Sequence, residues 1–206
     1  AANICRLTHY DPRCVGSCVI VSLLIHSLVY EGKGLSYHQI IDLARKYDDR
    51  IIEYVDLSID TDIQALELQD KSSVGYTLRC LAAGLWAYWH AKSFADGLLA
   101  IVRAGGDADT NAAVACAILG AKFGYGTIPT EYIDGLIYKD QLDDIIKGIS
   151  SFQPSITLSK ESSVPSSREE SKTLPSKNLP SYATLTVDSF AGFFPFSSPF
   201  SRISYC

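Results

Sequence analysis

The sequence predicts an all-α domain followed by a Ser/Pro-rich tail. Two patterns point to the helices. Hydrophobic residues make up 47% of the 206-residue chain, enough for the core of one domain. They fall in helical periods and long apolar runs between capping residues and glycines, and no segment before residue 150 alternates as a strand does. A third observation marks the boundary. From Ser150 onward the pattern gives way to serines and to Pro154, Pro165, Pro175, Pro180, Pro195 and Pro199. The expected organisation is therefore a helical domain over residues 1–149 and a disordered tail over 150–206, because such a segment buries too little to offset its ordering entropy.

The elements follow in order. Asp11 is placed to cap a helix whose first residue is Pro12, where a missing N–H costs nothing. Residues 12–30 are apolar nearly all round, which predicts burial on most faces. Ser17, Ser22, His26 and Ser27 interrupt that run, and it falls short of the roughly 20 residues a bilayer requires, so a core helix is expected rather than a membrane span. Gly32 and Gly34 end it, and Ser36 caps a helix over about 36–48. Residues 50–70 are ambiguous, with short apolar runs in acidic surroundings. A long buried helix is expected from Tyr76 to His90. Ser93 with Asp96 three residues on opens another, running to Ala104. After the Gly105-Gly106 turn comes a helix over about 111–123.

Charge and cysteines narrow the class. A net charge of -5 with no basic arm gives no ground for a nucleic-acid or membrane partner. Cys5, Cys14, Cys18, Cys80, Cys116 and Cys206 include no Cys-x-x-Cys pair, which argues against zinc. Four of them lie in apolar helical runs, so buried reduced thiols and a cytoplasmic location are expected. The chain starts at Ala1 rather than Met and shows no secretory leader, so the natural N-terminus is expected to lie elsewhere.

The stretch that stands apart is "VRAGGDADTNAAVACAILGAKFGY", residues 102–125. Asp107 and Asp109 stand one residue apart beside two glycines and are followed by Thr110 and Asn111. Two readings are open on the residues alone. In one, Asp109 caps a helix, Thr110 and Asn111 assist, and Asp107 is solvated. In the other, two carboxylates and a hydroxyl from one tight turn supply oxygen ligands to a hard cation such as magnesium or calcium. The carboxylates would then reverse the positive sign of the helix N-terminus, and the glycines would let the backbone approach a ligand.

This stretch resembles the C-terminal metal-binding motif of the ADP-ribosylglycohydrolase family, the dinitrogenase-reductase-activating glycohydrolase and crystallin J1 superfamily. Its pattern is Gly-Gly-Asp-x-Asp-Thr-Asn before a small-residue helix. "THYDPRCVGSCVIVSLLI" resembles the family's His-x-Asp-Pro-Arg segment, "SVGYTLRCLAAGLWAYWHA" its Gly-Tyr helix, and "GYGTIPTEYIDGL" the segment after the turn, all in the family's order. The resemblance covers residues 1 to about 146.

It implies an all-helical fold with two magnesium ions in a central cleft and hydrolysis at the anomeric carbon of an ADP-ribosyl group. Its partners would be an ADP-ribosylated protein or an ADP-ribose-containing small molecule. By the same resemblance Asp107 and Asp109 are catalytic and, with Thr110, metal ligands. His9, Asp11, Tyr76, Gly105 and Gly106 are expected to bind substrate. Asp11 can cap its helix at the same time, and Tyr76 could stack on adenine, flank the scissile ribose or simply pack in the core. Asp60-Thr61-Asp62 imitates the metal turn without its glycines and is read as a decoy.

The family's N-terminal half, with a Thr-Asp-Asp turn and an acidic residue that complete the metal site, has no counterpart in this sequence. The chain is therefore expected to be a fragment that binds magnesium weakly and releases no ADP-ribose alone. The alternative is an inactive relic or an ADP-ribose-binding module.

The tail expectation is directly testable. Limited proteolysis should cut first at Lys160, Arg168, Lys172 or Lys177 and leave a helical piece ending near Lys147. Strong amide protection between Ser189 and Tyr205 would overturn it.

Overall fold

The computed structural model describes residues 1–72 and 74–151, so all of the expected tail beyond its first two residues lies outside them. Nine α-helices run in sequence among the described residues, with no strand: α1 (Ala2–Cys5), α2 (Pro12–Tyr30), α3 (Tyr37–Arg45), α4 (Arg50–Leu57), α5 (Thr77–His90), α6 (Phe94–Ala104), α7 (Ala108–Phe123), α8 (Thr130–Asp134) and α9 (Lys139–Ser151). Single turns of 3-10 helix cover Ile63–Leu66 and Tyr125–Thr127. The all-α class is as expected. By its contacts a first compact unit takes in Ala1–Asp144, and a second begins at Ile145 inside α9.

Side-chain caps account for the starts of α2, α3 and α6. Asp11 accepts the Arg13 N–H at the head of α2, with Pro12 at its first position. Ser36 and Gln39 form a reciprocal capping box on α3. Ser93 accepts the Asp96 N–H while Asp96 accepts the Lys92 N–H at 3.0 Å. The ambiguous stretch folds as α4 and a 3-10 turn. There Asp60 accepts the Asp62 N–H and Asp62 the Gln64 N–H, so the decoy carboxylates serve as local turn caps.

The centre of the first unit is the pair α5 and α7, the most extensively packed pair of helices. They run parallel and in register. A Cβ on Gly75, ahead of α5, would meet Asp107 Oδ2 at 3.8 Å, and one on Gly84 would meet Val114 and Ile118 at 3.1 and 3.0 Å. Cys80 Sγ faces the Thr110 carbonyl at 3.8 Å. At the other end Lys122 Nζ donates to the carbonyls of Tyr88 and Ala91 at 2.7 and 3.1 Å, a cation on the orphan carbonyls of a helix C-terminus. Small residues on both helices permit this approach. Leu78, Leu81 and Leu85 of α5 pack with α2, α3 and α4, while Ala82, Ala83, Trp86 and Ala87 pack with α6, Leu66 and Leu68. α5 thus separates two apolar clusters and belongs to both.

Three expectations change. α2 is not buried on most faces. Val15, Val19, Ile20 and Leu24 point inward, but Cys18, Ser22, His26 and Tyr30 recur every four residues as an exposed stripe. At 19 residues α2 is the one helix among those described that is long and apolar enough to cross a membrane, yet it contributes Ile20 and Leu24 to the core. Among the described residues the thiols are free but not buried: Cys18 is exposed, and Cys5, Cys14, Cys80 and Cys116 are half-buried; Cys206 lies outside the described residues. Cys5, Cys14 and Cys18 face a cleft rather than the core. The third change is in helix bounds. α3 stops at Arg45, and α7 starts at Ala108, three residues before the expected position.

Leu85, fully buried, tests the shared core. Leu85→Ala should cost about 2–5 kcal/mol, read as a lower urea midpoint with little change in the denaturant slope.

Candidate functional site

The cleft of about 1150 Å³ is walled by the α1–α2 connection and by the approach to α5, and its lining includes His9, Asp11, Arg13, Tyr54, Gly75 and Tyr76. Three of the expected substrate residues, His9, Asp11 and Tyr76, are therefore together. A second hollow of about 570 Å³ is walled by Asp49, Glu53, Asp56 and Asp60, and its carboxylates would repel an anionic nucleotide.

Arg13 organises the cleft wall. Its Nε and Nη2 donate to Asp11 Oδ1 and Oδ2 at 2.9 and 2.5 Å, a two-pronged pairing that only the planar guanidinium offers. Its Nη1 donates to the Tyr76 hydroxyl at 3.2 Å, and its charge sits 5.5 Å from the Tyr76 ring centroid. Tyr54 meets the same ring edge-on at 5.6 Å. The bond from Arg13 holds the Asp11 carboxyl well down, at a pKa of about 2, despite partial desolvation. Asp11 in turn raises the Arg13 guanidinium above its ordinary range. Burial raises the Tyr54 hydroxyl. His9 is exposed at the rim, its Nδ1 paired with Thr8 Oγ1 at 2.9 Å.

The acidic turn is built differently. Gly105 and Gly106 take left-handed φ of +75° and +69°. A Cβ on Gly106 would stand 1.8 Å from the Leu68 carbonyl oxygen, and one on Gly105 would stand 3.2 Å from the Gln69 side chain. Both glycines face the chain's own Leu66–Asp70 segment, and neither lines the cleft. Asp107 occupies the N-cap position of α7, but its side chain makes no capping bond. Asp109 lies inside the first turn, exposed, with Thr110 exposed beside it and Asn111 buried. The Asp109 carboxyl is held below the ordinary carboxylate range, first by the neighbouring Asp107 side chain and then by the backbone of Thr110 and of Asp109 itself.

The turn and the cleft meet at Gly75. This residue lines the cleft, and a Cβ there would come within 3.8 Å of Asp107 Oδ2. Asp107, Asp109 and Thr110 themselves stand behind that wall rather than in it.

The donor set suits a hard divalent cation. Asp107 and Asp109 place two carboxyl groups in one tight turn, where a bound cation would offset their like-charge repulsion. Magnesium is commonly bound through one or two carboxylates, with water or substrate oxygens completing its shell. No cluster of three His, Cys, Asp or Glu side chains with metal-binding geometry occurs among the described residues. The turn would therefore supply one side of such a site. Cys80 borders it, its thiol pushed up to about 11 by burial first and by Asp107 second.

Arg13, Tyr54 and the Leu66–Asp70 segment were not singled out from sequence. Arg13 had a signal, since it follows Asp-Pro in the motif at a helix start. Tyr54 and the segment lie in the ambiguous stretch and had none.

A family model described as ADP-ribosylglycohydrolase matches residues 1–157. The chain is 27% identical over 150 residues to an ADP-ribosylarginine hydrolase of Serratia proteamaculans, covering 71% of this chain and 38% of that protein. It is 29% identical over 99 residues to the enzyme of the same name from Pseudomonas putida, covering 46% and 27%. It is 26% identical over 134 residues to the ADP-ribosyl-(dinitrogen reductase) glycohydrolase of Rhodospirillum rubrum, covering 65% and 41%. The chain thus spans between 27% and 41% of the length of these relatives. No solved structure matches it at a significant level.

Asp11→Asn keeps a good N-cap but removes the charge that Arg13 holds. Because the folded pKa of about 2 lies below the ordinary 3.8, the pairing stabilises fully above pH ~4 and is lost as pH falls toward 2. Thermal melts should show the variant less stable at neutral pH, with the gap closing as pH falls through that window. A gap independent of pH would show that the charge is not what stabilises.

Proposed function

The chain belongs to the ADP-ribosylglycohydrolase family, and on that premise we propose that it forms the metal-turn side and one cleft wall of an enzyme hydrolysing ADP-ribosyl N- or O-glycosidic bonds with magnesium. The observation that carries this reading is the placement of His9, Asp11 and Tyr76 on one cleft whose wall, at Gly75, abuts the Asp107 carboxylate. The substrate class is an ADP-ribosylated protein or an ADP-ribose-containing small molecule.

In this reading each side chain has a task. Tyr76, fixed by Arg13 and Tyr54, offers an aromatic face to adenine or to the ribose. Asp11, ionised at neutral pH, holds Arg13 rather than moving protons. His9, exposed at the rim with its Nδ1 paired to Thr8 Oγ1, is placed to hydrogen-bond a ligand hydroxyl. Asp107, Asp109 and Thr110 would hold magnesium, which when bound would order the ribose hydroxyls and polarise a water molecule. The same carboxylates favour the positive charge that develops on the sugar as the bond to its anomeric carbon breaks.

A second reading, an ADP-ribose-binding module with a purely structural turn, is favoured by the glycine pair, which packing against the Leu68 carbonyl and the Gln69 side chain accounts for without a cation. Isothermal titration with ADP-ribose, with and without magnesium, separates the two. The enzyme reading expects weak binding that magnesium strengthens, with the magnesium-dependent part reduced at least ~10-fold in Asp107→Ala and in Asp109→Ala while helical circular dichroism is retained. Binding that ignores magnesium and both substitutions would establish the module instead.

A further inference from the structure

We propose that Arg79 is a positioning residue: it seats the Leu66–Asp70 segment beneath the acidic turn and so fixes the turn relative to the cleft. The inference rests on the function proposed above and adds to it a residue with no place in the ligand sets considered so far.

The geometry runs through one short piece of chain. Arg79 lies in the first turn of α5 with its side chain only 13% exposed. Its Nη1 donates to the carbonyls of Leu66 and Glu67, the latter at 2.8 Å. Its Nη2 donates to Glu67 Oε2 and Asp70 Oδ2, each at 3.3 Å. The segment it grips has an unfavourable backbone: Glu67 stands at φ +47°, a left-handed conformation that non-glycine residues rarely adopt. The two carbonyls and the carboxylates around one guanidinium hold that conformation in place.

What the segment then touches gives Arg79 its role. Leu66 and Leu68 are buried against α5, α6 and α7, and the Leu68 carbonyl lies against Gly106 so closely that no Cβ fits there. Gly106 immediately precedes Asp107. At the segment's other end, Asp70 accepts from the N–H and hydroxyl of Ser72, and Lys71 and Ser72 line the cleft. One strip of backbone thus borders the turn at Leu68 and the cleft at Lys71 and Ser72, with Arg79 holding it at Leu66, Glu67 and Asp70. A guanidinium suits the task because it reaches several acceptors in fixed directions; an ammonium keeps the charge but not the fork.

A purely structural arginine predicts global loss of stability; a positioning arginine predicts a local change. Arg79→Met, Arg79→Lys and Leu85→Ala, a destabilising control far from the segment, should be compared by amide hydrogen exchange and by ADP-ribose titration with and without magnesium. In Arg79→Met, exchange should quicken in Leu66–Ser72 and Gly105–Asn111 while α2 to α4 keep their protection. The magnesium-dependent part of ADP-ribose affinity should fall about 10-fold, a shift of about 1.4 kcal/mol. Arg79→Lys should recover part of both, and Leu85→Ala should quicken exchange broadly without the local signature. Should Arg79→Met show the broad pattern of Leu85→Ala, or keep wild-type exchange at Gly105–Asn111, the positioning role is overturned. If the wild type shows no magnesium-dependent binding, the functional reading fails, whereas the exchange comparison, which needs no ligand, still decides the role of Arg79.

Discussion

The parallel packing of α5 on α7 is the constraint from which the rest of the first unit follows. Two helices joined through an intervening antiparallel helix return to the same direction, so their N-termini lie side by side. Ala82, Ala83, Gly84 and Ala87 on one, and Ala112 and Ala115 on the other, are small enough to bring the axes close. That closeness sets Gly75 against Asp107 and Cys80 against Thr110. The arrangement concentrates the positive ends of two helix dipoles at one place. Asp107 and Asp109 oppose that field, and Lys122 answers the negative end of α5.

A consequence is that the glycine pair has a packing cause before any ligand is considered. A turn between α6 and α7 at this spacing passes directly over the Leu68 carbonyl, and a side chain on Gly106 would occupy the same space. Left-handed φ at both glycines then delivers Asp107 to α7 with its carboxylate turned toward Gly75 instead of toward the helix amides. The polar side chain at the N-cap position is thus released from capping. A carboxylate kept out of its ordinary local bond, next to a second one, is available to a cation. On the opposite wall the reverse holds. Asp11 is fully committed, to its own helix and to Arg13, and its lowered pKa records that commitment. The three acidic positions of the motifs thus divide into one, Asp11, that fixes geometry and two, Asp107 and Asp109, that the proposed metal role would use.

Legibility varied with the kind of signal. Helices announced by a cap and a period were readable: Asp11-Pro12, Ser36, and Ser93 with Asp96 all start helices where the sequence placed them. The stretch 50–70 was not, because α4 and the 3-10 turn are short and gain their stability from Ile51, Val55 and Leu66 packing on α5, not from local propensity. The exposure of Cys18 also escaped. An apolar run can indicate burial, but which stripe of it stays bare depends on what packs alongside. Arg79 carried no pattern at all, since the carbonyls it binds belong to residues whose fold was itself unreadable.

By itself the sequence determined the helical class, the order of α2, α3, α5, α6 and α7, the helix-starting roles of Asp11, Ser36 and Ser93, and the grouping of two carboxylates with a hydroxyl at one turn. These are local properties, set by side-chain chemistry within a few residues. Tertiary structure alone decided that the turn and the cleft adjoin at Gly75, that Asp107 is free of capping, that Gly106 is required by the Leu68 carbonyl, and that Arg13 and Arg79 lock the two walls. Those features join residues tens of positions apart, and only the register of α5 on α7 brings them within a few ångströms of one another.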